Sequence, residues 1–115
     1  MGGLTVKTTD DEIFERQALI CKAFSHPGRL RILDLLGHGE RGVSELQREL
    51  RLSKTSLSQQ LSILKSAGVV TTRRNGKQIY CSLAIPEVKQ ACHLIREVLK
   101  AQIAASHRLH EPLTK

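Results

Sequence analysis

Leu57, Leu61 and Leu64 stand at i, i+4 and i+7, the spacing that sets three side chains on one face of a helix. Almost everything between and before them is a hydroxyl or an amide: Ser53 to Leu61 reads SKTSLSQQL. Ser and Thr are mediocre helix formers because their side chains compete for backbone hydrogen bonds. A helix written this way therefore presents an outward face of short, uncharged donors and acceptors. At about 100° per residue from Leu57, Thr55, Gln59, Ser62 and Ser66 fall on the far side, with Ser56 and Ser58 flanking them. Ser53 is placed to cap this helix, which runs to about Ser66, and Gly68 to end it. Directly after it comes VVTTRRNGKQIYCSL, in which β-branched residues lead into Asn75-Gly76, the strongest short hairpin signal. A polar-faced helix followed at once by a hairpin is the constraint that the remaining segments must satisfy.

Those segments read as helices. Residues 1–9 are small and polar and are expected to be disordered. From about Asp11 to Phe24, Ile13, Phe14, Ala18, Cys21 and Phe24 form a broad apolar face, and Asp11 and Glu12 favour the N-terminal end electrostatically. Pro27 suits the first turn of a second helix capped by Ser25 or His26. Leu30, Leu33 and Leu36 share a stripe of that helix, and Gly37 stops it. GVSELQREL predicts a short third helix, with Ser44 and Gln47 at capping-box spacing and Val43, Leu46 and Leu50 on its buried side. Pro86 opens a last long helix along which Val88, Ala91, Cys92, Ile95, Val98, Leu99, Gln102 and Ile103 make an almost unbroken stripe.

The order α-α-α-α-β-β-α is that of a winged helix-turn-helix, a mainly α fold with a β-hairpin wing (α+β). The apolar faces of the first and last helices exceed what so small a core can cover. That predicts dimerisation through those two helices. Residues 10–106 are expected to form one DNA-binding and dimerisation domain, with 107–115 as a C-terminal tail.

Charge names the kind of partner. The 115 residues carry 18 Lys and Arg against 11 Asp and Glu, net +7. Residues 41–80 hold 8 of the basic and 2 of the acidic groups, net +6, and no acidic residue occurs between Lys54 and Lys77. A one-signed stretch in the middle of a fold points to an anionic partner, nucleic acid before a membrane surface. Aromatic residues are 3% of the chain, too few to stack unpaired bases, so a duplex fits better than a single strand. No run of about 18 apolar residues predicts a membrane span, and the first residues lack an apolar signal core. A cytoplasmic protein is expected. Cys92 and His93 are neighbours on a helix and point about 100° apart, so they do not make a nucleophile and base.

SHPGRLRILDLL, VSELQREL, LSKTSLSQQLSILKSAGVV and RRNGKQIYCSL together resemble the successive signatures of the ArsR/SmtB family, over roughly residues 11–105. The family's helix-turn-helix commonly reads S-x-S-x-V-S-x-H-L; here Leu57 replaces the Val and Gln60 the His. The resemblance implies a homodimeric bacterial repressor with this helix in the major groove and the wing over flanking phosphates. Thr55, Ser58 and Gln59 are then the expected base readers, since Ser, Thr and Gln match base edges and Gln pairs with adenine. Lys54 and Ser56 lie near the backbone, with Gln60 beside them. Lys65, Arg73, Arg74 and Lys77 are expected on phosphates, which supply affinity without sequence information. A dimer implies an inverted-repeat operator, with recognition helices about 34 Å apart. The alternative is a winged helix used only for protein–protein contact, which has no need of the acid-free stretch.

The family also implies an inducer: a metal, a metalloid, or a reactive sulfur or oxidant species. VSELQREL lacks the cysteines that one family metal site needs. His107 and His110 have i, i+3 spacing at the chain end, but zinc takes four ligands, or three and water, so no metal site is assigned and these are read as exposed tail residues. Cys21 and Cys92 lie on the stripes of the two dimerisation helices and are the candidate sensor thiols. Three readings of the cysteines stay open: thiol-based sensing by Cys21 and Cys92, a soft metal or metalloid on Cys21, Cys81 and Cys92, or three small buried hydrophobes.

Overall fold

A computed structural model describes residues 9–109. Of the residues 1–9 expected to be disordered and the expected tail 107–115, residues 1–8 and 110–115, His110 among them, fall outside the described residues, while Thr9 caps a helix and residues 107–109 continue one. The first helix, α1 (Asp10–Ala23), starts with a reciprocal cap. Thr9 Oγ1 accepts from the Glu12 N–H at 3.1 Å, and Glu12 Oε1 accepts from the Thr9 N–H at 2.9 Å, so two N–H groups that the helix leaves unpaired are satisfied. His26 caps α2 (Pro27–Gly37), its Nδ1 accepting from the Gly28 N–H at 3.0 Å. Ser25 instead donates its hydroxyl to the Lys22 carbonyl.

Two residues, Arg41 and Gly42, then make the strand β1, which the sequence pattern did not predict. They lead straight into α3 (Val43–Leu50), and this moves the cap. Gly42 is the N-cap and Glu45 Oε1 accepts from its N–H at 2.9 Å; Ser44, expected to cap, is already inside the helix. Arg51 closes α3 in the left-handed region, with φ 55°, and Ser53 opens α4 (Lys54–Ser66) by accepting from the Ser56 N–H at 3.0 Å. Gly68, with φ +78°, ends it, as a residue free of Cβ crowding can.

The wing is β2 (Val70–Asn75) and β3 (Gln78–Leu83), antiparallel, with Asn75 paired to Gln78. The two turn residues are therefore Gly76 and Lys77. Gly76 carries the positive φ, +66°, and Asn75 belongs to the strand. The strand β1 adds to the other edge of β3, giving the order β1-β3-β2. Finally α5 runs from Pro86 to Leu109.

The core lies between α2, α3, α4 and the sheet. Ile32, Leu33, Leu46, Leu57, Leu64 and Cys81 are fully buried in it. The expected leucines of α4 all point inward. By contrast α1 buries Ala23 alone, and Phe14, Leu19, Leu94 and Val98 stand mostly exposed on α1 and α5. The radius of gyration, 17.5 Å, exceeds the about 13 Å of a compact chain of roughly 100 residues, because these two helices reach beyond the core. Among the described residues no helix is long and apolar enough to cross a membrane.

Candidate nucleic-acid interface

With Leu57, Leu61 and Leu64 buried, the helical period turns Thr55, Ser58, Gln59 and Ser62 to solvent, where all four are exposed. Ser56 is half-buried beside the cap it completes. No acidic side chain stands on α4. An open groove of about 570 Å³ runs between α4 and the wing, with Lys54, Ser58, Ser62, Lys65, Thr72 and Arg74 on its walls. The fold thus brings the basic residues at both ends of α4 and on β2 to one channel, with hydroxyls on its floor. Lys54, Lys65, Arg74 and Lys77 form no ion pair among the described residues. Their charge is available to an anion, and uncharged Ser, Thr and Gln occupy the space between.

Two of the expected contacts are engaged elsewhere. Arg73 is held by Glu40, with Nε to Oε2 at 2.8 Å and Nη2 to Oε1 at 2.7 Å. Such a bidentate pair is the strongest kind of exposed ion pair. Ser82 donates its hydroxyl to the same carboxylate at 3.2 Å. The guanidinium also lies 4.6 Å from the ring centre of Tyr80, its cross-strand partner, within cation–π range. The Arg73 bond holds the Glu40 carboxyl below the usual carboxylate range. A lowered folded-state value means the pair's stabilisation is present at neutral pH and is lost as the pH falls through that value. Arg73 therefore braces the wing against the loop that precedes β1 and also lines the groove, and Arg74, next to it on β2, lines the groove with no carboxylate partner among the described residues. The second is Gln60, half-buried, whose Oε1 accepts from Arg29 Nη1 at 2.9 Å.

The three cysteines are separated by environment. Cys21 is exposed on α1, Cys92 half-buried on α5, and Cys81 fully buried on the central strand. Burial pushes the thiols of both Cys81 and Cys92 up. Cys92 faces a cleft of about 290 Å³ between α2 and α5, shared with Leu30, Asp34, His38 and Arg96. Within one chain α1 and α5 share no broad packed surface among the described residues, so Cys21 and Cys92 are not brought together there. No three His, Cys, Asp or Glu side chains of the described residues converge as a metal site would require. His107 is exposed near the end of α5.

A sequence model for bacterial regulatory proteins of the arsR family matches residues 26–72, from the cap of α2 through α4 into β2. An uncharacterised HTH-type transcriptional regulator of Mycobacterium tuberculosis is 38% identical over 90 residues, which are 77% of this chain and 79% of that one. The biofilm growth-associated repressor of Xylella fastidiosa is 38% identical over 85 residues, 74% of this chain and 75% of its own. Among solved structures, a homodimeric winged helix-turn-helix DNA-binding domain of Mycobacterium bovis, described as a possible ArsR-family transcriptional regulator, superposes with a TM-score of 0.75 at 29% identity. The match covers 97% of this chain and 99% of that one.

Proposed function

Because the chain belongs to the arsR family of bacterial regulatory proteins, and so is a DNA-binding transcriptional regulator and not an enzyme, we propose that it is a cytoplasmic, homodimeric repressor that reads an inverted-repeat operator with α4. The observation that carries this reading is the face of α4. Three buried leucines fix its rotation, Thr55, Ser58 and Gln59 point out uncharged, and Lys54, Lys65 and Arg74 line the adjoining groove. In the bound state α4 lies in the major groove, where Gln59 and its neighbours meet base edges and the basic groups meet phosphates. Lys77 at the wing tip adds a phosphate contact.

The test is duplex binding measured against salt, on sites selected by the protein from random sequence. Gln59→Ala is expected to cost about 1–3 kcal/mol and relax preference at one base pair. Arg74→Ala should weaken all sequences alike and reduce the salt slope by about 1. Arg73→Ala should weaken binding with a smaller change of slope, because its charge is already paired with Glu40. If Gln59→Ala left every base preference intact, α4 would not be the reader. A wild-type protein with no salt-dependent duplex binding would favour the protein–protein alternative.

Release from the operator is assigned to a thiol-reactive sulfur or oxidant species acting on Cys21 and Cys92. What supports a thiol over a soft metal or metalloid is Cys81: the third thiolate such a site would use is fully buried in the sheet. Cys21, exposed on α1 of the single chain, and Cys92, whose thiol burial pushes up, lie on the two proposed dimer faces and close the bond across subunits. Two thiols then give two protons and two electrons to the oxidant and join as a disulfide. Mass spectrometry after diamide, which is reduced to its hydrazine, is expected to find a Cys21–Cys92 link together with loss of operator binding. A Cys21→Ser, Cys92→Ser protein released by diamide as readily as wild type would remove this reading.

A further inference from the structure

Arg29 is the one buried charged residue among those described, 7% exposed in the first turn of α2. Its guanidinium faces no carboxylate. It donates from Nε to the Ala23 carbonyl at 2.8 Å, from Nη2 to the Lys22 carbonyl at 2.9 Å, and from Nη1 to Gln60 Oε1 at 2.9 Å. Lys22 and Ala23 are the last two residues of α1, whose terminal carbonyls have no partners within the helix and form the negative end of its dipole. The buried cation is therefore offset by a helix end, and each of its three nitrogens donates to one of two elements, the C-terminus of α1 and the middle of α4.

Among the described residues, the other holds on α1 are at the same end: Ser25 donates to the Lys22 carbonyl and Ala23 is buried in the core. The side chains of α1 are exposed, Ala23 excepted, and among the described residues it shares no broad surface with another element of its own chain. The direction in which α1 leaves the domain is thus fixed at its C-terminal end, where Arg29 holds it. The grip on α4 falls on Gln60, next to Gln59 on the outward face.

We infer that Arg29 and Gln60 are positioning residues that fix the recognition helix relative to the dimerisation arm, and so set which half-site spacing the dimer accepts. The inference rests on the proposed reading of α4 as the base reader and α1 as part of the dimer surface. Two recognition helices must meet successive major grooves about 34 Å apart. A hinge between α1 and α4 would be felt there before it was felt at either half-site. The amide of Gln60 is thereby a spacer contact and not a DNA contact.

The experiment uses the full chain and duplexes carrying two half-sites, selected by the wild-type protein, at centre-to-centre distances varied one base pair at a time. A duplex with a single half-site is the control. Wild type is expected to prefer one spacing. Gln60→Leu, which removes the acceptor at a half-buried position, is expected to lose that preference while keeping wild-type affinity for the single half-site. Gln60→Glu restores an acceptor for the guanidinium and should keep the preference, even if its added charge weakens binding to every duplex. Gln60→Leu with the wild-type spacing profile overturns the inference. So does a loss of affinity that is equal on the single half-site and on all spacings, which would make Gln60 a DNA contact. Wild type binding duplex DNA with no spacing preference overturns it as well, and leaves the α4 reading standing. Only a wild type that binds no duplex overturns both.

Discussion

Leu57→Ala is expected to cost about 2–5 kcal/mol of folding stability, although Ser58 and Gln59, which follow it, point to solvent. Leu57 is fully buried in the core with Leu46 and Leu64. Removing most of its side chain forfeits the transfer free energy of the lost methyl and methylene groups, and leaves a cavity that neighbours on three elements only partly close. For a single domain with about 5–15 kcal/mol in all, that is a large fraction. The same helix carries its own control. Ile63 is 42% exposed, and Ile63→Ala should change stability by no more than about 0.5 kcal/mol. Urea unfolding at one fixed protein concentration separates the two, since the stability of a dimer depends on concentration. The midpoint should fall for Leu57→Ala with the slope unchanged, and stay put for Ile63→Ala. Equal costs at both positions would mean that the rotation of α4 is wrong, and with it the outward face on which Thr55 and Gln59 stand.

That rotation was legible in the sequence because it is local: three leucines at helical spacing, a Ser cap before them and a Gly after. The hairpin was legible for the same reason, though the turn centres on Gly76 and Lys77, one residue past the Asn-Gly pair's usual place. What could not be read were pairings set by the fold. The strand β1 is two residues long, too short to carry a period, and it exists because β3 offers it an edge. Its presence moved the α3 cap from Ser44 to Gly42 and Glu45. Arg73 looked like any other wing cation, because Glu40 lies 33 residues away in the chain. Gln60 looked like an outward amide, because Arg29 lies 31 residues away. Glu40 and Arg29 carry no local signature of their roles; an acid just outside a basic stretch and an Arg after His-Pro-Gly are ordinary in isolation. The candidate site is thus divided along a physical line. Burial and exposure that follow from helical phase were legible, and partners set by a long-range hydrogen bond were not.

The exposed faces of α1 and α5 lead to the largest functional effect. Phe14 is 68% exposed and Val98 59%, so charging both costs the isolated domain little: neither side chain belongs to the core of Ile32, Leu33, Leu46 and Leu64. In a dimer built on these helices the same change would bury unpaired carboxylates, at several kcal/mol each. Phe14→Asp, Val98→Asp is therefore expected to sediment as a 12.8 kDa monomer with its helical circular dichroism largely kept. Its half-sites would then be bound independently. Losing the intramolecular second contact should lower affinity for the full operator by about 10²–10⁴-fold, while affinity for a single half-site stays near that of wild type. The pair of measurements discriminates sharply. A monomer that still bound the full operator tightly would show that dimerisation contributes nothing to recognition. A variant that remained a dimer would place the interface somewhere other than these faces, and Cys21 and Cys92 would lose the route by which they meet.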